Sequence, residues 1–210
     1  MFLRRKKKST ATEAIDQQFF WSSTTPEQQK RKLNLEVSAV MHALNLPETQ
    51  RADVRSAYVI AEDLALRQIE NEFDLPLLRH RTFEGISFDG VAIKDNCFFC
   101  AEILFLVEPN LSEDRIEVLF NKADYAAEHV RQFNPEIKLE LLLVLITQLA
   151  PVEENALRKK IAKRMKTSLN DVVRQVALFD KTEKQKSVPP VDFNIYFYDF
   201  ENLQNTFLNQ

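Results

Sequence analysis

The chain has 210 residues, 45% hydrophobic and 28% charged, with a formal net charge of −3, which is ordinary for one well-buried globular domain. No apolar run reaches the roughly 18 residues needed to span a bilayer. The charge is uneven, with eight Lys/Arg against three Asp/Glu over residues 1–32, ten against twenty over 33–150 and ten against eight over 151–210, so the acidic centre is no general nucleic-acid sponge.

Residues 1–26 read as a mobile basic arm. Arg4 to Lys8 are five consecutive basic residues, polar sequence follows, and the aromatic trio Phe19–Trp21 is expected to pack on the domain. The polar STATEAIDQQ stands where a signal peptide needs an apolar core. With only two cysteines, a reducing cytoplasm is the expected location.

From Pro26, apolar residues at Leu33, Val37, Val40, Met41 and Leu44 have helical spacing, with proline in a helix-starting position. After a break at Pro47, Arg51 to Phe73 forms a second helix with a strong apolar stripe. RHRTFEGIS, FDGVAIKD and CFFCAEILFLV then predict three successive strands. SEDRIEVLFNKADYAAEHVRQF predicts a helix, with Ser112 at its start and Glu113 and Asp114 in its first turn. IKLELLLVLIT reads as a strand buried on both faces.

Past Pro151 the chain turns basic and helical over 151–187, with two helices broken near Thr167–Ser168. In the segment 188–210, DFNIYFYDF alternates as a half-exposed strand that packs on the core. The coarse order is two helices, three strands, a helix and a strand, an α/β core over 27–150 with a C-terminal helical and strand extension.

The chemistry concentrates between Phe88 and Pro109. Asp95–Asn96 suits a two-residue hairpin loop, since both residues tolerate positive φ. Lys94 then pairs with Cys97, and the register sets Asp89 opposite Glu102. Two carboxylates about 5 Å apart repel, and a divalent cation between them turns repulsion into ligation. The chain's two glycines, Gly85 and Gly90, flank Asp89, and glycine in a strand often marks a bulge or a close approach.

CFFC has CxxC spacing, but an odd separation sends strand side chains to opposite faces, which favours two buried structural cysteines. The histidines His42, His80 and His129 lie on separate elements with no metal-ligand spacing, and read as surface or core residues.

This order of elements, with an acid on the second strand and a glutamate on the third, resembles the PD-(D/E)XK nuclease superfamily from about Arg51 to Gln148. The resemblance implies a restriction-endonuclease-like αβββαβ core and Mg²⁺- or Mn²⁺-dependent phosphodiester hydrolysis. Asp89 and Glu102 match the metal-holding acids, Glu62 matches the helix acid, and Glu84 is a further acid. Phe88 stands where the motif has proline, and Leu104 where it has lysine. Lys94 faces away by parity, so Lys122 on the following helix or Lys138 on the next strand would replace the lysine.

Two other readings stand beside a nuclease. One is a degenerate binding or assembly subunit, favoured by Leu104 and by acids that repel a polyanion. The other is a DNA-binding regulator working through helices at 158–178, with Arg158, Lys159, Lys160, Lys163, Arg164 and Lys166 on phosphates. Nucleic acid is the expected partner, with room for a protein partner.

Overall fold

The computed structural model describes residues 21–83, 85–164 and 191–207. Arg4–Lys8, Glu84, Lys166, the break near Thr167–Ser168 and the rest of the second basic helix lie outside them. The described residues form a mixed α/β fold on one six-stranded sheet, in the order β1 (Ser22–Ser23), β2 (Leu78–Phe83), β3 (Ile86–Lys94), β4 (Cys97–Leu106), β5 (Lys138–Thr147) and β6 (Val191–Asp199). Strands β1 to β4 run antiparallel, and β4, β5 and β6 run parallel.

Five α-helices cover the sheet among the described residues: α1 (Pro26–Ala43), α2 (Arg51–Phe73), α3 (Glu113–Phe133), α4 (residues 151–164) and α5 (Phe200–Phe207). Helix α1 begins where Pro26 predicts, and Thr25 caps it with a reciprocal bond to Gln28. Helix α2 keeps its predicted limits and ends on Asp74 in the left-handed conformation, φ 47°. Ser112 caps α3 through the Arg115 backbone N–H.

The two sheet faces bury different partners. Ala61, Leu64, Ala65 and Ile69 of α2 and Leu203 of α5 pack on Ala92, Ala101, Ile103, Leu142, Val144 and Ile146. On the other face, Ala123, Ala126, Ala127 and Val130 of α3 pack on Val91, Phe98, Cys100, Leu139 and Leu141. Leu157 and Ile161 of α4 extend that face over Leu104, Leu143 and Leu145. β5 is thus apolar on both sides because helices cover both.

The Asp95–Asn96 hairpin closes as expected, with φ values of 50° and 59° and Lys94 paired to Cys97. Three expectations shift. The first strand ends at Phe83 instead of Ser87, because Gly85 (φ 86°) turns the chain into β3. Gly85 is therefore a turn residue, whereas a Cβ at Gly90 would meet Leu66 Cδ2 and Leu77 Cδ1, each at 3.1 Å. The arm does not reach residue 26, since Trp21 is buried and Ser22–Ser23 pair with Thr82 and Arg81. Burying that indole outweighs the freedom of an arm.

Cys97 and Cys100 are both free thiols, the first half-buried and the second buried. Among the described residues no helix is long and apolar enough to cross a membrane.

Candidate metal centre

The site forms where the sheet opens. β3 and β4 pair from Lys94↔Cys97 to Gly90↔Ala101 and no further, while β4 continues against β5 to Leu106↔Thr147. One position past the last rung stand Asp89 and Glu102, each 3% exposed. Asp89 and Glu102 therefore do not form the ladder pair that the register alone implies. Asp89 Oδ2 instead accepts the Ile103 backbone N–H at 2.8 Å, satisfying a donor that the opened ladder leaves without a strand partner.

Both neighbouring strands change face at this place. A strand sends alternate residues to opposite faces, yet Leu78 and Phe83 of β2 share one core, and so do Phe88 and Val91 of β3. The β2–β3 register passes from Arg79↔Gly90 to Arg81↔Phe88, omitting His80 and Asp89. The register is the same on both sides of that gap, and His80 takes the change of face in a left-handed conformation, φ 48°, a geometry that costs a non-glycine residue on the order of 1 kcal/mol. The Thr24 N–H donates to the His80 carbonyl at 2.8 Å, so the segment before α1 holds this conformation.

Four helical side chains converge on the opening. Lys32 of α1 bonds Asp89 Oδ1 directly, and its Nζ lies 3.7 Å from Glu102 Oε2. Lys122 of α3 bonds Glu102 Oε1 and sits over the Phe88 ring, 4.4 Å from its centroid. Glu62 of α2 lies 3.6 Å from His80 Nε2. The Tyr58 hydroxyl donates to the Ile103 carbonyl at 3.4 Å.

One ligand atom each from Glu62, His80 and Asp89 lies within 4.8 Å of the other two. A cavity of about 330 Å³ reaches them, lined also by Lys30, Lys32, Arg55 and Tyr58.

Burial opposes the charge on Asp89, but Lys32 and Lys122, with the bonds from Lys32 and the Ile103 N–H, hold its carboxyl below the usual range. Burial also opposes the charge on Lys32, and is outweighed chiefly by Asp89, which holds the ammonium above the ordinary lysine range. Burial draws Lys122 below that range against the pull of Asp89. Burial and then the Asp89 charge push Glu62 up to about 8, and burial lowers His80.

Burial and the Asp89 charge therefore favour the protonated form of Glu62 when only protein surrounds it. Its folded pKa lies above its unfolded one, so the folded chain binds more protons across that window and stability falls as pH rises from about 4.5 to about 8. Denaturant unfolding at pH 5.5 and 8.5 in metal-free buffer checks this. Glu62→Gln is expected to remove part of the loss, and an unchanged pH dependence would refute the assignment.

The structure brings together Asp89, Glu102, Glu62 and Lys122. It adds Lys32 and His80. The sequence pairs Asp89 with Glu102; in the structure Glu102 is turned to Lys122, and among the described residues Glu62, His80 and Asp89 are the group near enough to one another that they could hold an ion. His80 was legible as a surface or core residue only, since its partners come from α2 and β3. The odd spacing of Leu78 and Phe83 is a local sign of the change of face at His80.

Lys94 donates instead to the carbonyls of Phe73 and Asp74, and Lys138 lies at the exposed start of β5 opposite Cys97. Of the expected phosphate contacts, Arg158 donates to the Ile195 carbonyl, Lys160 to the Leu111 carbonyl, and Arg164 pairs with Glu117. Lys159 and Lys163 are exposed on the same helix. Comparison with known protein families, with curated proteins and with solved structures finds no match to this chain.

Proposed function

We propose that the chain is a metal-dependent phosphodiesterase of the PD-(D/E)XK kind, with a restriction-endonuclease-like core and nucleic acid as its substrate. The observation that carries this reading is the Lys122–Glu102 contact at the opening beside Asp89. It returns a lysine to the acid pair by way of α3, where Leu104 leaves the strand position without one.

The donor set suits a divalent ion: two carboxylates and an imidazole, with a cavity in front. Such an ion supplies Lewis acidity at a phosphoryl group. Asp89, fixed by the Ile103 N–H, presents Oδ1 to the cavity side, where Lys32 now lies. Lys122 approaches Glu102 from the α3 side, outside the residues that line the cavity, and would act on the site through that carboxylate. Lys30, Lys32 and Arg55 line the cavity as cations for the non-bridging oxygens of a phosphodiester.

The test is cleavage of duplex DNA, single-stranded DNA and RNA with Mg²⁺ or Mn²⁺, comparing wild type with Asp89→Asn. Cleavage by wild type that both EDTA and Asp89→Asn abolish is the expected result. A folded wild type that cuts none of these with either ion would remove the catalytic reading.

One observation favours a degenerate binding subunit as the second reading. Lys32 and Lys122 already neutralise Asp89 and Glu102, so the acids have protein partners without any metal. The regulator reading has less support, because Arg158, Lys160 and Arg164 are drawn back onto the domain. Leu157 and Ile161 account for the helix pattern as the packed side of a solvated helix.

A further inference from the structure

We propose that Glu62, His80 and Asp89 form a site for one first-row transition ion, such as Mn²⁺, Co²⁺ or Zn²⁺, in preference to Mg²⁺, and that Lys32 is the internal cation this ion displaces. The inference rests on the metal-dependent reading of the same opening and narrows it to an ion class and an exchange.

The ligand set argues for the ion class. Three side chains from three elements bring two carboxylate oxygens and an imidazole nitrogen within 4.8 Å of one another. An octahedral ion with bonds of about 2.1 Å holds neighbouring ligands roughly 3 Å apart, so the set closes by less than about 2 Å. Asp89 is held by the Ile103 N–H, while His80 is 39% and Glu62 15% exposed, at the cavity. Closure therefore falls to side-chain rotation of those two. Mg²⁺ prefers oxygen ligands and sheds water reluctantly, whereas an imidazole ligand shifts preference toward first-row transition ions, least for Mn²⁺ and more for Co²⁺ and Zn²⁺.

The backbone argues independently that His80 is placed for a purpose. It takes a left-handed φ of 48° in the middle of a strand, opposite the one β2–β3 rung that the register omits. Such local strain gathers at functional sites.

The exchange follows from which oxygens remain. Asp89 Oδ2 is committed to the Ile103 N–H, leaving Oδ1, and Lys32 Nζ occupies it. The same ammonium stands 3.7 Å from Glu102 Oε2, between the two acids. An ion on Oδ1 would stand within a few ångströms of that ammonium, where two cations repel strongly in a buried place. Lys32 must swing away, and its 30% exposed side chain at the cavity has room to do so.

The experiment titrates the full chain with Mn²⁺, reading free ion by electron paramagnetic resonance, alone and against excess Mg²⁺. Wild type is expected to hold one Mn²⁺ that a tenfold excess of Mg²⁺ does not remove, on the order of tenfold selectivity or more. His80→Gln is expected to weaken Mn²⁺ at least about tenfold and leave Mg²⁺ affinity unchanged. Lys32→Gln is expected to tighten Mn²⁺, and Glu62→Gln supplies a second ligand variant should His80→Gln fail to fold.

Wild type that does not retain Mn²⁺, or ligand variants that bind it equally well, would overturn the site. Unchanged affinity in Lys32→Gln would overturn the exchange. The two readings fail separately. Cleavage that Mg²⁺ supports and His80→Gln leaves intact sinks this inference and keeps the hydrolase. Mn²⁺ held through His80 by a protein that cuts nothing does the reverse.

Discussion

Lys122→Met is expected to destabilise the folded chain by about 3–5 kcal/mol at neutral pH, because it strips the bonded partner from a buried carboxylate. Glu102 is 3% exposed, and Lys122 bonds its Oε1. Lys32 stands 3.7 Å from the other oxygen, which is too far for a hydrogen bond and leaves it a partial substitute. Urea unfolding followed by the fluorescence of the single tryptophan, Trp21, measures the loss.

The pair is not expected to be a net stabiliser. Replacing both charges with apolar groups of similar volume often proves neutral or favourable, because two desolvation penalties disappear with one attraction. Lys122→Met with Glu102→Leu is therefore expected to recover most or all of the stability lost by Lys122→Met alone. A double variant no more stable than the single one would mean that the pair holds the opening in shape. Recovery of stability would instead mark the pair as kept for something other than stability, as a site for chemistry would be.

Phe98→Ala is expected to cost about 3–5 kcal/mol, the range for deleting a large aromatic side chain in a core. Phe98 is fully buried on β4, and its ring centroid lies 5.3 Å from that of Trp21 with the planes 30° apart. Val91, Cys100 and Leu139 surround the same cluster, so the space cannot close without moving β3 or β5. Because Trp21 loses a neighbour, native fluorescence is expected to shift as well as the unfolding midpoint. Phe99, the next residue, faces the other side and is only half-buried; Phe99→Ala is the matched control and should cost clearly less. Equal losses would refute the assignment of faces along β4.

The two effects act at different ends of β4. The Phe98 end is a close-packed joint that ties the segment before α1 to the sheet. Past Ala101 the strand loses its β3 partner; Lys32 of α1 and Lys122 of α3 pair with the acids, and Tyr58 of α2 donates to the Ile103 carbonyl.

Much of the fold was legible along the chain. The helices from Pro26, Arg51 and Glu113 follow from apolar residues spaced at a helical period, with Pro26 and Ser112 marking two of their starts. The hairpin followed from Asp95–Asn96, since two residues that tolerate positive φ set the register by themselves. That register then singled out Asp89 and Glu102 as a carboxylate pair, and both are buried. The end of the first strand was less legible, because a turn at Gly85 and a β-strand glycine look alike in one dimension.

Legible along the chain were the local structures, the β3–β4 register and the two acids next to its end. Each depends on residues close together in the chain, where periodicity and turn chemistry act. Packing across the sheet is what stops the ladder at Gly90, brings Lys32 and Lys122 to the acids from two different helices, and sets His80 beside Glu62 and Asp89. The Lys32–Asp89 and Lys122–Glu102 contacts join residues 57 and 20 positions apart, and their geometry is set by how whole helices pack across a sheet, which no local spacing encodes.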